Sequence, residues 1–213
     1  TLRNCAKEPE VLELANYLNS CGAKINGAGE SVIIVQGVKK LEASRWNVLF
    51  DRIEAGTYLV AGAITNGHVK VNKIDPETIN IISEKLMDMG VEVNIGSDFV
   101  EVDATSSDLK AQDIFTEPFP GFPTDMQAQF MTLNTIASGK CIIEETVFEN
   151  RFQHVSQLRK MGADITLNKN KASVSGVSNL VGANVRASDL RASASLVLAG
   201  LVGKNKTEIN DIY

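Results

Sequence analysis

A mixed α+β architecture of repeated helix–sheet units follows from two regularities in the chain. Helix-then-strand segments recur: Glu10-Val-Leu-Glu-Leu-Ala-Asn-Tyr-Leu leads to Cys21-Gly-Ala-Lys-Ile, Glu77-Thr-Ile-Asn-Ile-Ile-Ser to Met89-Gly-Val-Glu-Val, and Glu149-Asn-Arg-Phe to Met161-Gly-Ala-Asp-Ile. Each passes through a glycine (Gly22, Gly90, Gly162) into an apolar–charged–apolar triplet. That is the pattern of a helix closed by a left-handed glycine and continued as a strand. Between these segments Asp51, Asp125 and Asp189 each open a second helix, which runs to Gly67, Gly139 or Gly203 and then to another strand. Repeats of this length mark a modular fold, and the residues that break the repeat are where function is sought.

The elements follow in order. Val11, Leu12, Leu14, Ala15 and Leu18 recur at helical spacing over residues 8–21, with Pro9 accepted near the helix start. Ser31 to Val35 is short and β-branched, hence a strand. Residues 51–66 form a helix rich in small side chains (Ala55, Gly56, Ala61, Gly62, Ala63) and suited to close burial. His68 to Ile74 alternates as a strand with one wet face. A helix over 76–89 and strands near 91–95 and 98–103 follow. Pro118, Pro120 and Pro123 crowd into Glu117–Thr124, which excludes a helix or central strand and predicts a stiff ordered loop. Beyond it come a helix over 125–138, a strand over 140–147, a helix over 149–161, strands near 163–167, 172–176 and 181–187, a helix over 188–202 and a strand over 205–212. Units of this kind set helices on one side and sheet on the other.

Bulk properties exclude several classes. The 213 residues carry a net charge of −5, which argues against a general nucleic-acid binder yet leaves room for an anionic small molecule held by local arginines. No apolar run approaches the roughly eighteen residues of a membrane span. Cys5, Cys21 and Cys141 form no close pair, as expected of reduced thiols in a cytoplasm rather than a disulfide framework. The chain starts at Thr1-Leu-Arg without an initiator methionine or signal-like segment, so it is expected to be cut from something longer or processed.

Asp125 is the leading candidate site residue. A helix cap accounts for it, as for Asp51 and Asp189. The stiff loop before it gives a direction that a cap does not require, and a carboxylate so held suits a general base. Arg151, read as lying in a helix first turn, opposes the helix dipole there, so an anionic ligand explains it better than solvation does. Arg191 stands alone among Ala192-Ser-Ala-Ser, and Arg52 sits beside Asp51. Guanidinium groups match carboxylate and phosphate in a bidentate fashion. Gly27-Ala-Gly29 lacks a third glycine and reads as a turn, and His68 and His154 have no partners at metal-ligand spacing.

Pro123-Thr-Asp-Met-Gln-Ala-Gln, Glu145-Thr-Val-Phe-Glu-Asn-Arg-Phe152, Asp189-Leu-Arg-Ala-Ser-Ala-Ser and Asp51-Arg-Ile-Glu-Ala-Gly-Thr57 closely resemble the UDP-N-acetylglucosamine 1-carboxyvinyltransferases of the enolpyruvyl transferase family. The resemblance covers essentially the whole chain. It implies an inside-out α/β barrel of the enolpyruvyl transferase type, with residues 1–49 the tail of a preceding domain and 50–213 most of the other. It also implies transfer of enolpyruvyl from phosphoenolpyruvate to the 3-hydroxyl of UDP-N-acetylglucosamine, with no cofactor. By position, Asp125 matches the base and sugar contact, and Val147 and Phe148 match the UDP-sugar side. Arg151 and Arg191 match the arginines of the enolpyruvate side, while Asp189 and Arg52 match supporting positions. The family's cysteine loop, its N-terminal Lys-Asn pair and further arginines have no counterpart here. The chain alone is therefore expected to be inactive, with the missing parts of its own enzyme as partners. Two alternatives stand beside this reading, an enolpyruvyl transferase for another acceptor such as shikimate 3-phosphate and a non-catalytic repeat scaffold.

Overall fold

Small side chains let helices approach at the centre, and alternating strands then close over them. The structure is a computed structural model that describes residues 1–212. It opens with β1 (Leu2–Arg3), α1 (Pro9–Ser20), β2 (Lys24–Asn26) and β3 (Val32–Gln36), the strands forming a sheet ordered β1-β3-β2. Irregular chain over residues 37–51 then folds back on α1, where the Glu13 carboxylate accepts hydrogen bonds from Trp46 Nε1 and Leu49 N, both at 2.8 Å.

The repeat follows. Helix α2 (Arg52–Ile64) leads to β4 (His68–Asn72), and a 3₁₀ turn at Pro76–Ile79 opens α3 (Asn80–Asp88). The hairpin β5 (Glu92–Ile95) and β6 (Phe99–Asp103) completes this copy, with sheet order β4-β6-β5. The second copy runs β7 (Ile114–Phe115), a 3₁₀ turn at Thr124–Met126, α4 (Gln127–Asn134), β8 (Lys140–Glu144), α5 (Val155–Lys160), β9 (Asp164–Asn168) and β10 (Lys171–Ser175), with sheet order β7-β8-β10-β9. The last part is β11 (Asn184–Arg186), α6 (Leu190–Val202) and β12 (Glu208–Asn210).

The copies share their pairing. In the first two copies the strand after the Asp-led helix lies antiparallel to the second strand of the hairpin, Val71 opposite Val100 in one and Ile143 opposite Ala172 in the next. Strands β7 and β8, and likewise β11 and β12, pair in parallel because a helical crossover joins them. Helices α2, α4 and α6 pack on one another inside, with α2 against β4 and β6, α4 against β8 and β10, and α6 against β12. A Cβ at Gly62 would stand 2.8 Å from Val102 Cγ2, so the glycine sets how near α2 lies to its sheet. The fold is thus mixed α+β with helices inside and strands outside. One continuous core extends from Ala55 to Ala199 and takes in nothing before Phe50. No helix is long and apolar enough to cross a membrane among the described residues.

Gly22, Gly90 and Gly162 take φ of 97°, 92° and 90°, so the first repeated signal is the left-handed helix closure it resembles. The second set is mixed: Gly139 is also left-handed at φ 108°, Gly203 is extended at φ −67°, and beside Gly67 it is Asn66 that takes the left-handed turn, at φ 49°. The helix expected over 125–138 starts as a 3₁₀ turn and ends at Asn134. The one expected over 149–161 begins only at Val155. Residues 149–152 are irregular, with Asn150 at φ 58°, so Arg151 sits in a loop and no helix dipole opposes it.

Candidate active site

Asp51, Asp125 and Asp189 hold matching places, and their carboxylates behave differently. Asp51 Oδ1 accepts from Ile53 N at 2.8 Å and Glu54 N at 3.0 Å; Asp189 Oδ1 accepts from Arg191 N at 2.9 Å and Ala192 N at 3.1 Å. Both are helix N-caps that satisfy first-turn amides. Asp125 makes no such bond. It lies within the 3₁₀ turn, and its Oδ1 accepts instead from Arg151 Nη1 at 2.8 Å and, in a shorter contact, from Arg191 Nε. Its Oδ2 has no hydrogen-bond partner among the described residues, and the side chain is 40% exposed, so one oxygen is pinned and the other is open to a ligand.

The loop before Asp125 is built to aim it. Glu117 N donates to Phe122 O at 2.9 Å, Gly121 N to Pro118 O at 2.9 Å, and the Phe119–Pro120 peptide is cis. Phe122 is buried and meets Phe130 of α4 edge to face with centroids 5.0 Å apart, which anchors the loop in the core. Arg191 projects from the first turn of α6, whose start Asp189 caps. Arg151 comes from the loop after β8, and its guanidinium lies 4.2 Å from the Phe148 ring centre, a cation–π distance. Phe148 is exposed and Val147 half-buried.

Burial pushes the Asp125 pKa up. The hydrogen bonds from Arg191 and Arg151, reinforced by their charges, outweigh it and hold the carboxyl below the ordinary aspartate value. Arg52 is directed elsewhere. Its Nε donates to Glu10 Oε1 at 2.9 Å, and its guanidinium lies 5.7 Å from the Phe119 ring centre. It nonetheless lines the same hollow of about 1190 Å³ as Asp125, Gln129 and Arg191. Arg151 reaches Asp125 from outside that lining.

Two buried groups escaped the sequence reading. Glu145, 3% exposed, gathers hydrogen bonds from both loops that flank the site. Its signal was slight: adjacent Glu144 and Glu145 end an otherwise apolar strand, and alternation sends one inward. Gln129 donates to Thr57 Oγ1 at 3.0 Å and keeps an unpaired Oε1 beside the hollow. Cys141 is buried, and burial, then Asp113, pushes its thiol up to about 12, which leaves it protonated and inert at neutral pH. Among the described residues no group of three His, Cys, Asp or Glu is arranged to hold a metal ion.

The model of one protein family, EPSP synthase (3-phosphoshikimate 1-carboxyvinyltransferase), matches residues 1–213. The chain belongs to the EPSP synthase family. Among proteins of this family, UDP-N-acetylglucosamine 1-carboxyvinyltransferase from Coxiella burnetii (strain RSA 493 / Nine Mile phase I) is 52% identical over 212 residues, covering 100% of this chain and 49% of that protein. The chain thus spans about half the length of the curated relatives it matches. The crystal structure of the enolpyruvyl transferase NikO from Streptomyces tendae superposes with a TM-score of 0.84 at 26% identity, over 99% of this chain and 50% of that one. EPSP synthase from Acinetobacter baumannii shares the fold, with a TM-score of 0.67 at 20% identity over 91% of this chain and 48% of that one. The superposition on NikO over 99% of this chain shows that it shares that enolpyruvyl transferase's mixed helix-and-sheet fold.

Proposed function

We propose that this chain forms one wall of the active site of an enolpyruvyl transferase. The reaction moves the enolpyruvyl group of phosphoenolpyruvate to the 3-hydroxyl of UDP-N-acetylglucosamine and releases phosphate, the first committed step of peptidoglycan synthesis. The observation that carries this reading is the convergence of Arg151 and Arg191 on one oxygen of Asp125. The 52% identity to a UDP-N-acetylglucosamine 1-carboxyvinyltransferase favours that acceptor over 3-phosphoshikimate.

In this reading Asp125 Oδ2 takes the proton of the acceptor hydroxyl as its oxygen bonds to C2 of phosphoenolpyruvate. C3 gains a proton, and the adduct then loses that phosphate and a C3 proton to restore the double bond. The phosphate and carboxylate of the incoming substrate compete with Asp125 for Arg151 and Arg191. Loosening those ion pairs raises the basicity of Asp125 when a proton must be taken up. The arginines stabilise the phosphate once closure excludes water. Asp189 acts by capping α6 and so fixing the first turn that carries Arg191. Val147 and Phe148 flank the UDP-sugar. Residues 1–49 belong to the tail of a separate domain and 50–213 to most of this one, and the remaining half of the enzyme supplies the opposite wall.

The test is phosphate release by the full-length protein, with UDP-N-acetylglucosamine or 3-phosphoshikimate as acceptor. Release is expected with the UDP-sugar alone, and Arg191→Ala should lower kcat/KM for phosphoenolpyruvate by about 10²-fold, as when a charged donor to a developing anion is lost. Turnover with 3-phosphoshikimate, or an unchanged Arg191→Ala variant, contradicts the proposal.

A further inference from the structure

We propose that Glu145 is the positioning residue of this site, a buried carboxylate that sets the loop bearing Asp125 against the loop bearing Arg151. The inference rests on the roles given to Asp125 and Arg151 above. Glu145 Oε2 accepts from Thr124 Oγ1 at 2.8 Å, and Thr124 immediately precedes Asp125. Its Oε1 accepts from Thr116 Oγ1 at 2.9 Å, Val147 N at 3.0 Å and Phe148 N at 3.1 Å. One carboxylate therefore joins the start of the proline loop, its exit, and the turn that leads to Arg151. The Thr116 hydroxyl in turn accepts from Thr146 N at 2.9 Å, which locks the two loops side by side.

Glu145 has no cationic partner among the described residues, so its hydrogen bonds are what hold it in the interior, and an apolar side chain there would leave two hydroxyls and two backbone amides without that acceptor. What the carboxylate provides is acceptor capacity for four donors on separate segments. Pro118, Pro120 and Pro123 contribute no N–H, so beyond the bonds from Glu117 N and Gly121 N the loop is fastened through the threonines at its two ends. Asp125 and Arg151 meet at 2.8 Å, so a displacement of either loop by an ångström breaks the contact.

The experiment measures kcat and KM for phosphate release by the full-length protein carrying Glu145→Ala, Glu145→Gln or Thr124→Val, with Asp125→Asn alongside. Misplacement by an ångström costs about 10²-fold in rate, so Glu145→Ala should lose about that in kcat with KM for the UDP-sugar changed far less. Glutamine keeps the Oε1 acceptor, and its NH₂ donates to the Thr124 hydroxyl, so Glu145→Gln should recover to within about tenfold of wild type. Thr124→Val, which cuts one tether and keeps the shape, should fall between them, and with Glu145→Gln it decides the matter if the alanine variant does not fold. Glu145→Ala or Thr124→Val at wild-type kcat overturns the inference, as does glutamine being as damaging as alanine, which would assign a chemical role to the charge itself. Absence of wild-type turnover, or an Asp125→Asn variant as fast as wild type, overturns the reading of the site and this inference with it.

Discussion

Asp51, Asp125 and Asp189 are one residue type at one place in a repeat, and hydrogen bonding separates them. Asp51 and Asp189 cap their helices, so replacing either by alanine should cost about 1 kcal/mol of stability in urea melts. Asp125→Ala strips no amide of a partner and should cost less on that account. The sequence showed that each of these aspartates opens a helix. It did not show which was released from capping, because that depends on guanidinium groups 26 and 66 residues away in the chain. The same pairs set the titration of Asp125. Removing a cation leaves burial opposed by one arginine only, so the acid limb of kcat/KM for full-length Arg191→Gln should move to higher pH than in wild type. An unmoved limb would detach Arg191 from Asp125.

Helical periodicity and terminal glycines placed α1, α2, α3 and α6 within a few residues, because those signals are local. Between residues 140 and 155 the expected long strand and immediate helix give way to a strand ending at Glu144 and an irregular stretch before α5. There Glu145 takes up the amides of Val147 and Phe148, which ends β8 at Glu144 and delays α5 to Val155, and no periodicity in the sequence encodes a buried carboxylate that competes for backbone donors. The start of α5 also carries a pH liability. His154 is buried with an unpaired Nε2, and burial depresses its pKa from 6.5 to about 4, the nearby Asp189 opposing the shift. Its unfolded form binds the proton more readily than its folded form. Stability is therefore full above pH 6.5 and falls as pH drops from 6.5 to about 4, by a total on the order of 3 kcal/mol from this group. Urea melts across that window should show the fall, and His154→Gln should flatten it; an equal slope in the variant would place the proton elsewhere.

Across the molecule, three internal helices converge and bring chain segments from residues 125, 151 and 191 to a common point. The repeats made this architecture legible, since each copy signals its own helices and strands. The meeting of the copies was visible only through resemblance, because long-range contacts between Asp125, Arg151 and Arg191 leave no local trace. Arg52 illustrates the difference: it lines the hollow, yet its charge is engaged with Glu10 on α1. In the proposed reaction, turnover depends on the free oxygen of Asp125 as proton acceptor. In the full-length protein, Asp125→Asn keeps an acceptor for both arginines and removes the basicity, so kcat for phosphate release with UDP-N-acetylglucosamine should drop by about 10²- to 10⁴-fold. A variant that turns over within about threefold of wild type, a difference under 1 kcal/mol in the barrier, would contradict it.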